Sequence, residues 1–262
     1  MTASKRVLLI GYGAIGRAVV QQLHTAGGYD IAIWSRTPVS EARPERTVSS
    51  SEEARAFDPQ LAVECAGQHA VRTLVPALLA DGVSVVLASV GALADAATHE
   101  ALRSAAGGRA RVVLPSGAIG GLDYLDAVAN EPGLEVAYLS TKPVSAWRDE
   151  LSRRGIDADA LREPYTLFEG SAAEAALRYP QNLNVAATLA LRGVGMEKTH
   201  VTVRADPDAA VNTHEIQVRS SAGTATFRLQ NEPSADNPKT SALTALSLAT
   251  EVARFFRDQA IR

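Results

Sequence analysis

At 262 residues, with 46% hydrophobic side chains and 21% charged ones of both signs, the chain has the makeup of a folded protein with one large core or two modest ones. A formal net charge of -3 and the lack of any Lys/Arg block argue against nucleic acid or an anionic membrane as the main partner. A single cysteine, Cys65, excludes an internal disulfide framework and a multi-cysteine metal site, and no apolar stretch nears the roughly 20 residues a spanning helix needs, so a cytoplasmic protein is expected.

The first apolar run, Val7 to Ile10, is too short for a signal-peptide core and reads as a buried strand. It runs into Gly11-Tyr12-Gly13-Ala14-Ile15-Gly16, a GxGxxG placed between a strand and a helix whose apolar face carries Ile15, Val19 and Leu23. In that context Gly11 permits the tight turn, Gly13 lets the backbone approach a pyrophosphate, and Gly16 lets helix and strand pack closely. The helix N-terminus, at Ala14 and Ile15, offers N–H groups to the phosphates. A second strand, Ile31 to Trp34, ends in Ser35-Arg36 where NAD sites usually place an acidic residue for the ribose. With no carboxylate to repel a 2′-phosphate and an arginine to pair with one, the expected cofactor is NAD or NADP, with NADP favoured.

Ser50 or Ser51 before Glu52-Glu53 predicts a helix start. Leu61 to Cys65 predicts a strand with a buried thiol, Val71, Val75 and Leu78 a helix face, and Val83 to Leu87 and Arg111 to Leu114 two further strands. Alternating strands and helices imply βαβ units and a parallel sheet of the Rossmann type.

The texture changes at Pro115-Ser116-Gly117-Ala118-Ile119-Gly120-Gly121, which is too rich in turn formers to continue a strand. A helix over Leu122 to Ala129 follows, then strands at Glu135 to Ser140, Tyr165 to Phe168, Thr199 to Ala205, His214 to Arg219 and Thr224 to Leu229, the last two joined by a hairpin at Ser220 to Gly223. Helices are expected at Ser171 to Leu177, opened by capping-box spacing, and at Leu183 to Leu191. The final helix, Ser241 to Phe256, would place Leu243, Leu246, Ala249, Val252 and Phe256 on one face. The expected fold class is therefore α/β, an N-terminal Rossmann-type parallel domain plus an α+β domain with a mainly antiparallel sheet. The expected boundaries are 1–117 with 240–262 for the dinucleotide domain and 118–239 for a substrate-binding, catalytic and dimerising domain.

Several segments from Pro115 onward together resemble the L-aspartate dehydrogenase family: Pro115 to Asp123, Phe168-Glu169-Gly170-Ser171, Pro180-Gln181-Asn182-Leu183-Asn184-Val185-Ala186-Ala187-Thr188, Ala205-Asp206-Pro207, Asn212-Thr213-His214-Glu215-Ile216 and Asn237-Pro238-Lys239-Thr240-Ser241. The resemblance implies reversible oxidative deamination of L-aspartate to iminoaspartate, with hydride passing to NAD(P) and release of oxaloacetate and ammonia. It also implies a homodimer and a link to pyridine nucleotide biosynthesis. It places the catalytic histidine on His214 and nicotinamide-side contacts on Ala118 and Asn184.

The chemistry asks for a base that titrates in the neutral range, and His214 is one, acting either on the substrate ammonium or on the water that attacks the imine. Two substrate carboxylates need cationic or N–H partners, for which Lys142, Lys239 and the amides around Gly117 and Gly120 are candidates. His24, His69, His99 and His200 lie at no metal-ligand spacing, so no metal is expected. Two rival readings are a dinucleotide-binding protein without catalysis and a two-domain reductase of the homoserine dehydrogenase or dihydrodipicolinate reductase type.

Overall fold

The computed structural model describes residues 4–36, 46–179, 184–234 and 237–260, those at 237–239 and 259–260 by backbone alone. The chain divides into two compact units, Met1–Gly117 with Thr244–Arg262, and Ala118–Leu243.

In the first unit the order is β1 (Lys5–Ile10), α1 (Ala14–Ala26), β2 (Tyr29–Trp34), β3 (Arg46–Val48), α2 (Ser51–Phe57), β4 (Leu61–Glu64), α3 (Gln68–Thr73), α4 (Val75–Ala80), β5 (Ser84–Leu87), α5 (Ala96–Ala106) and β6 (Val112–Val113). The strands form a parallel sheet in the order β3-β2-β1-β4-β5-β6, that of a Rossmann fold. Val7, Leu8, Leu9, Leu61, Ala62, Val63, Val85 and Val86 are all shut off from solvent, as a sheet covered on both faces requires. Ser50 caps α2, its hydroxyl accepting from the Glu53 N–H.

Three local expectations need correction. The three-residue β3 carries no apolar run that would announce it, and β6 is shorter than Arg111 to Leu114. The single helix expected through Val71, Val75 and Leu78 is two, because the chain breaks at Leu74 and Pro76 opens α4, where its missing N–H does no harm.

The second unit runs α6 (Leu122–Val128), β7 (Glu135–Pro143), α7 (Arg148–Arg153), β8 (Tyr165–Ser171), α8 (Ala172–Arg178), α9 (Asn184–Arg192), β9 (His200–Asp206), β10 (Asn212–Ser220), β11 (Gly223–Asn231), and a small ribbon of β12 (Pro233–Ser234) and β13 (Asn237–Ser241). Its sheet has the order β11-β10-β7-β9-β8, antiparallel at every junction except β7 with β9. One face carries Val136, Tyr138, Ile216 and Val218, packed with Leu122 and Leu125 of α6 and Leu189 of α9. Ser171 and Glu174 complete a capping box at α8.

The last helix, α10 (Ala242–Ala260), packs into the core of the first unit. Its buried face is Ala245, Leu248, Val252, Phe255 and Phe256, whereas Leu246 is 45% exposed, so the apolar stripe is rotated from the one expected. The buried set keeps the 3.6-residue spacing just as well, and packing decides between the two. Phe256 meets Tyr29 edge-on at 5.9 Å. Among the described residues no helix is long and apolar enough to cross a membrane.

Candidate active site

In the first unit the chain leaves β1 at Gly11, which has φ +90° and donates its N–H to the Trp34 carbonyl at 2.8 Å. That bond seats the glycine turn against the end of β2, so Ser35 and Arg36 begin one residue from a partner of the loop. Arg36 is exposed there. A Cβ on Gly11 would lie 2.7 Å from Ala66, and one on Gly16 would strike the Gly11 carbonyl, whereas one on Gly13 would meet no protein atom within 4 Å. The N-cap of α1 is Gly13 itself, without a side-chain acceptor, and the first turn holds no acidic residue. Ala14 and Ile15 therefore open a helix whose N–H groups and positive dipole end are not neutralised by the helix's own side chains, and this fits the pyrophosphate of a dinucleotide.

A neighbouring carboxylate was not singled out in the sequence. Glu64, at the end of β4, is fully buried, yet it accepts hydrogen bonds from the Ala66 and Gly67 N–H groups at 2.7 Å each, from the Ser89 N–H at 3.0 Å and from the Ser89 hydroxyl at 3.1 Å. Burial pushes its pKa up, and these donors pull back. It ties the turns that follow β4 and β5, including Ala66 against which Gly11 packs. Cys65 follows β4 directly, and its N–H still pairs with the Ile10 carbonyl at 2.8 Å. Gly117 closes the unit, with φ +61° and its N–H donated to the Ser247 hydroxyl at 2.9 Å.

In the second unit His214 lies on β10, opposite Ser140 of β7 and Leu229 of β11. Strand alternation puts it on the same face as Ile216 and Val218, and Tyr138, Ser140 and Lys142 on the matching face of β7. His214 and Lys142 are each 6% exposed, Tyr138 and Ser140 1%. Lys142 is a buried strand residue, because β7 runs on to Pro143 past the end expected at Ser140; its Nζ lies 5.6 Å from the centre of the Trp147 ring. The Tyr138 hydroxyl is 2.7 Å from His214 Nδ1, and the two ring planes lie 10° apart with centroids 6.0 Å apart. Burial, and secondarily the Lys142 charge, lower the His214 pKa to about 4, below the neutral range expected of it from the sequence, while burial raises that of Tyr138.

The segment 118–121 is tied to the same strands. The Ala118 carbonyl accepts from Asn231 Nδ2 at 2.7 Å, and a Cβ on Gly120 would sit 3.7 Å from Leu229, the residue opposite His214. Gly121, at φ +78°, leaves no room for a side chain against the Phe227 ring. Asn184 begins α9, half-buried, its carbonyl accepting from the Thr188 hydroxyl at 3.0 Å. Asn182 and the Lys239 side chain lie outside the described residues. Tyr138 escaped the sequence reading. Its signal was the alternation Tyr138, Ser140, Lys142, which sets three polar groups on one strand face.

His24, His69 and His99 sit on α1, α3 and α5, and His200 pairs with Glu169 at 3.4 Å on β9. Among the described residues no cluster of three or more His, Cys, Asp or Glu side chains is arranged to hold a metal.

The model of the aspartate dehydrogenase C-terminal domain matches residues 123–255, a span that includes His214, Lys142 and Tyr138. The NAD-binding domain model of homoserine dehydrogenase matches 11–114. The L-aspartate dehydrogenase of Ralstonia nicotianae is 41% identical over 253 residues, covering 92% of this chain and 94% of that one. This chain belongs to the aspartate dehydrogenase family. L-aspartate dehydrogenase 2 of Bordetella pertussis is 52% identical over 200 residues, covering 76% of this chain and 75% of that one. The crystal structure of aspartate dehydrogenase from Thermotoga maritima superposes with a TM-score of 0.76 at 30% identity, covering 97% of this chain and 96% of that one. Family membership makes the chain an oxidoreductase acting on a CH–NH2 group with a nicotinamide dinucleotide.

Proposed function

We propose that the chain is an NAD(P)-dependent L-aspartate dehydrogenase that converts L-aspartate reversibly to iminoaspartate, which hydrolyses to oxaloacetate and ammonia. What carries this reading is the alignment with L-aspartate dehydrogenases over nearly the whole chain, together with a buried, neutral histidine beside a buried lysine in the second unit. The first unit is the dinucleotide domain, with Gly11, Gly13, Ala14, Ile15 and Gly16 cradling the pyrophosphate and Ser35 and Arg36 meeting the adenine ribose. The absence of an acidic residue at Ser35-Arg36 favours NADP. Ala118 and Asn184 serve the nicotinamide end. The cofactor supplies the two-electron acceptor for the Cα hydrogen.

The protein's own part is to deprotonate and to hold. Hydride leaves Cα only from a neutral amine, so a proton must first pass from the substrate ammonium to a base. His214, neutral through the physiological range, has the lone pair for this step or for activating the water that later adds to the imine carbon. Lys142 supplies a buried cation to a substrate carboxylate, and the amides of Gly117 and Gly120 supply further N–H groups. The proposal extends, as the resemblance implies, to a cytoplasmic homodimer with a link to pyridine nucleotide biosynthesis.

The test is absorbance at the reduced-nicotinamide band with purified protein, L-aspartate, and NAD or NADP in parallel. Aspartate-dependent reduction should fall by about 10²- to 10⁴-fold in His214→Ala, the range a positioned acid–base group contributes. A lower KM for NADP than for NAD would bear out the Ser35-Arg36 reading. No reduction with aspartate, and no oxidation of NADPH with oxaloacetate and ammonia, would sink the assignment.

A further inference from the structure

We propose that Tyr138 is a positioning residue for His214: its hydroxyl oxygen accepts a hydrogen bond from the Nδ1–H of the imidazole and so leaves Nε2 bare as the nitrogen that serves the substrate. The proposal rests on the reading of His214 given above.

Three observations converge on it. The phenol oxygen lies 2.7 Å from Nδ1, within ordinary hydrogen-bond length, in a setting with almost no access to water. That contact occupies Nδ1, so only Nε2 remains for chemistry. The ring planes lie 10° apart with centroids 6.0 Å apart, so the phenol oxygen meets Nδ1 close to the plane of the imidazole, the direction in which that nitrogen bonds.

The direction of the bond follows from counting protons. A neutral imidazole carries one N–H, so a base acting through Nε2 must carry its proton on Nδ1, and the tyrosine oxygen must then accept it. Beside the phenol stands the hydroxyl of Ser140, two residues along β7 on the same face, and its hydrogen bond with the phenol works against the rise in the Tyr138 pKa that burial causes. When Nε2 takes a proton the Nδ1–H bond to Tyr138 stays in place, so the protonated ring keeps an oxygen partner in a site where Lys142 of β7 opposes its charge. The opposite arrangement, with the phenol donating to Nδ1, would put the imidazole proton on Nε2 and make that nitrogen a donor.

Long-range 1H–15N spectra of the full-length protein distinguish the two, with the His214 signals assigned by their loss in His214→Ala. The expected result is protonated Nδ1 and bare Nε2 in the native protein. In Tyr138→Phe, which keeps the ring and removes only the oxygen, the Nδ1–H form should give way to a mixture or to the Nε2–H form. The same variant should lose about 10- to 100-fold in kcat, part of what an acid–base group supplies, with KM for aspartate moving less than about threefold. A native Nε2–H form overturns the proposal, and so does an unchanged tautomer or an unchanged kcat in Tyr138→Phe. If His214→Ala itself turned over normally, the reading of His214 would fall; an inactive His214→Ala beside an unaffected Tyr138→Phe would remove the positioning role alone.

Discussion

His214 is uncharged in the folded protein down to about pH 4, whereas a histidine in the unfolded chain takes up its proton near 6.5. Between those values the unfolded state binds more protons than the native one, so stability rises with pH across the window and is lost as pH falls from about 6.5 towards 4. A shift of this size corresponds to an order of 3 kcal/mol over the whole window. Urea titrations from pH 4 to 7 should show this slope, and His214→Ala should flatten it; an identical slope in the variant would mean that other groups carry the acid sensitivity. The residue's place on a strand was legible from the sequence, because His214 opens the alternation through Ile216 and Val218. Its partner was not. Tyr138 lies 76 positions earlier and reaches His214 only through the register of β7 on β10, which no local pattern encodes.

At the scale of elements, the glycine loop holds one glycine that packing requires and one that it does not. Gly16 is needed by the fold, since a methyl there would strike the Gly11 carbonyl, while Gly13 faces open space. Gly13→Ala is therefore expected to keep its Tm within a degree or two while weakening dinucleotide binding by about tenfold or more, a cost of about 1.4 kcal/mol at the pyrophosphate. Gly16→Ala should instead lower Tm by about 4–8 °C or more, as a loss of a kilocalorie or two does in a domain of this size. Thermal melts beside fluorescence titrations with the dinucleotide would check both, and a Gly13→Ala protein that binds normally would take the loop out of the cofactor site. Strands buried on both faces, the Ser50 cap of α2 and the capping box of α8 were plain in the sequence, because each writes its requirement into a few consecutive residues. The break between α3 and α4 was also written there, as Pro76, but the run of apolar residues around it hid the signal. The parallel junction of β7 with β9 was not written locally at all, being a choice among pairings far apart in the chain.

Across the whole molecule, the first unit is assembled from both ends of the chain, and α10 is part of its core rather than an appendage. Ala245, Leu248, Val252, Phe255 and Phe256 bury enough apolar surface to contribute on the order of 10 kcal/mol, comparable with the entire stability of an ordinary domain. A chain ending at residue 243 should lose the cooperative melting of the first unit and all dinucleotide binding, which calorimetry and a binding titration would show. A truncated protein that still bound the dinucleotide would refute that role for the helix. The fold class was readable at this scale from the switch in rhythm after Pro115. The orientation of α10 was not, since two stripes of the same helix satisfy the same spacing and only Val252 and Phe256 belong to both.

This threading also sets an order of events during synthesis. A ribosome releases residues 118–243 before the helix that the dinucleotide unit needs, so the second unit can mature while the first waits with β1, β2 and β4 lacking their cover. At translation rates of about 5–20 residues per second, the roughly 145 residues that follow Gly117 take on the order of 10–30 s to make, an interval in which the exposed sheet is a natural client for a chaperone.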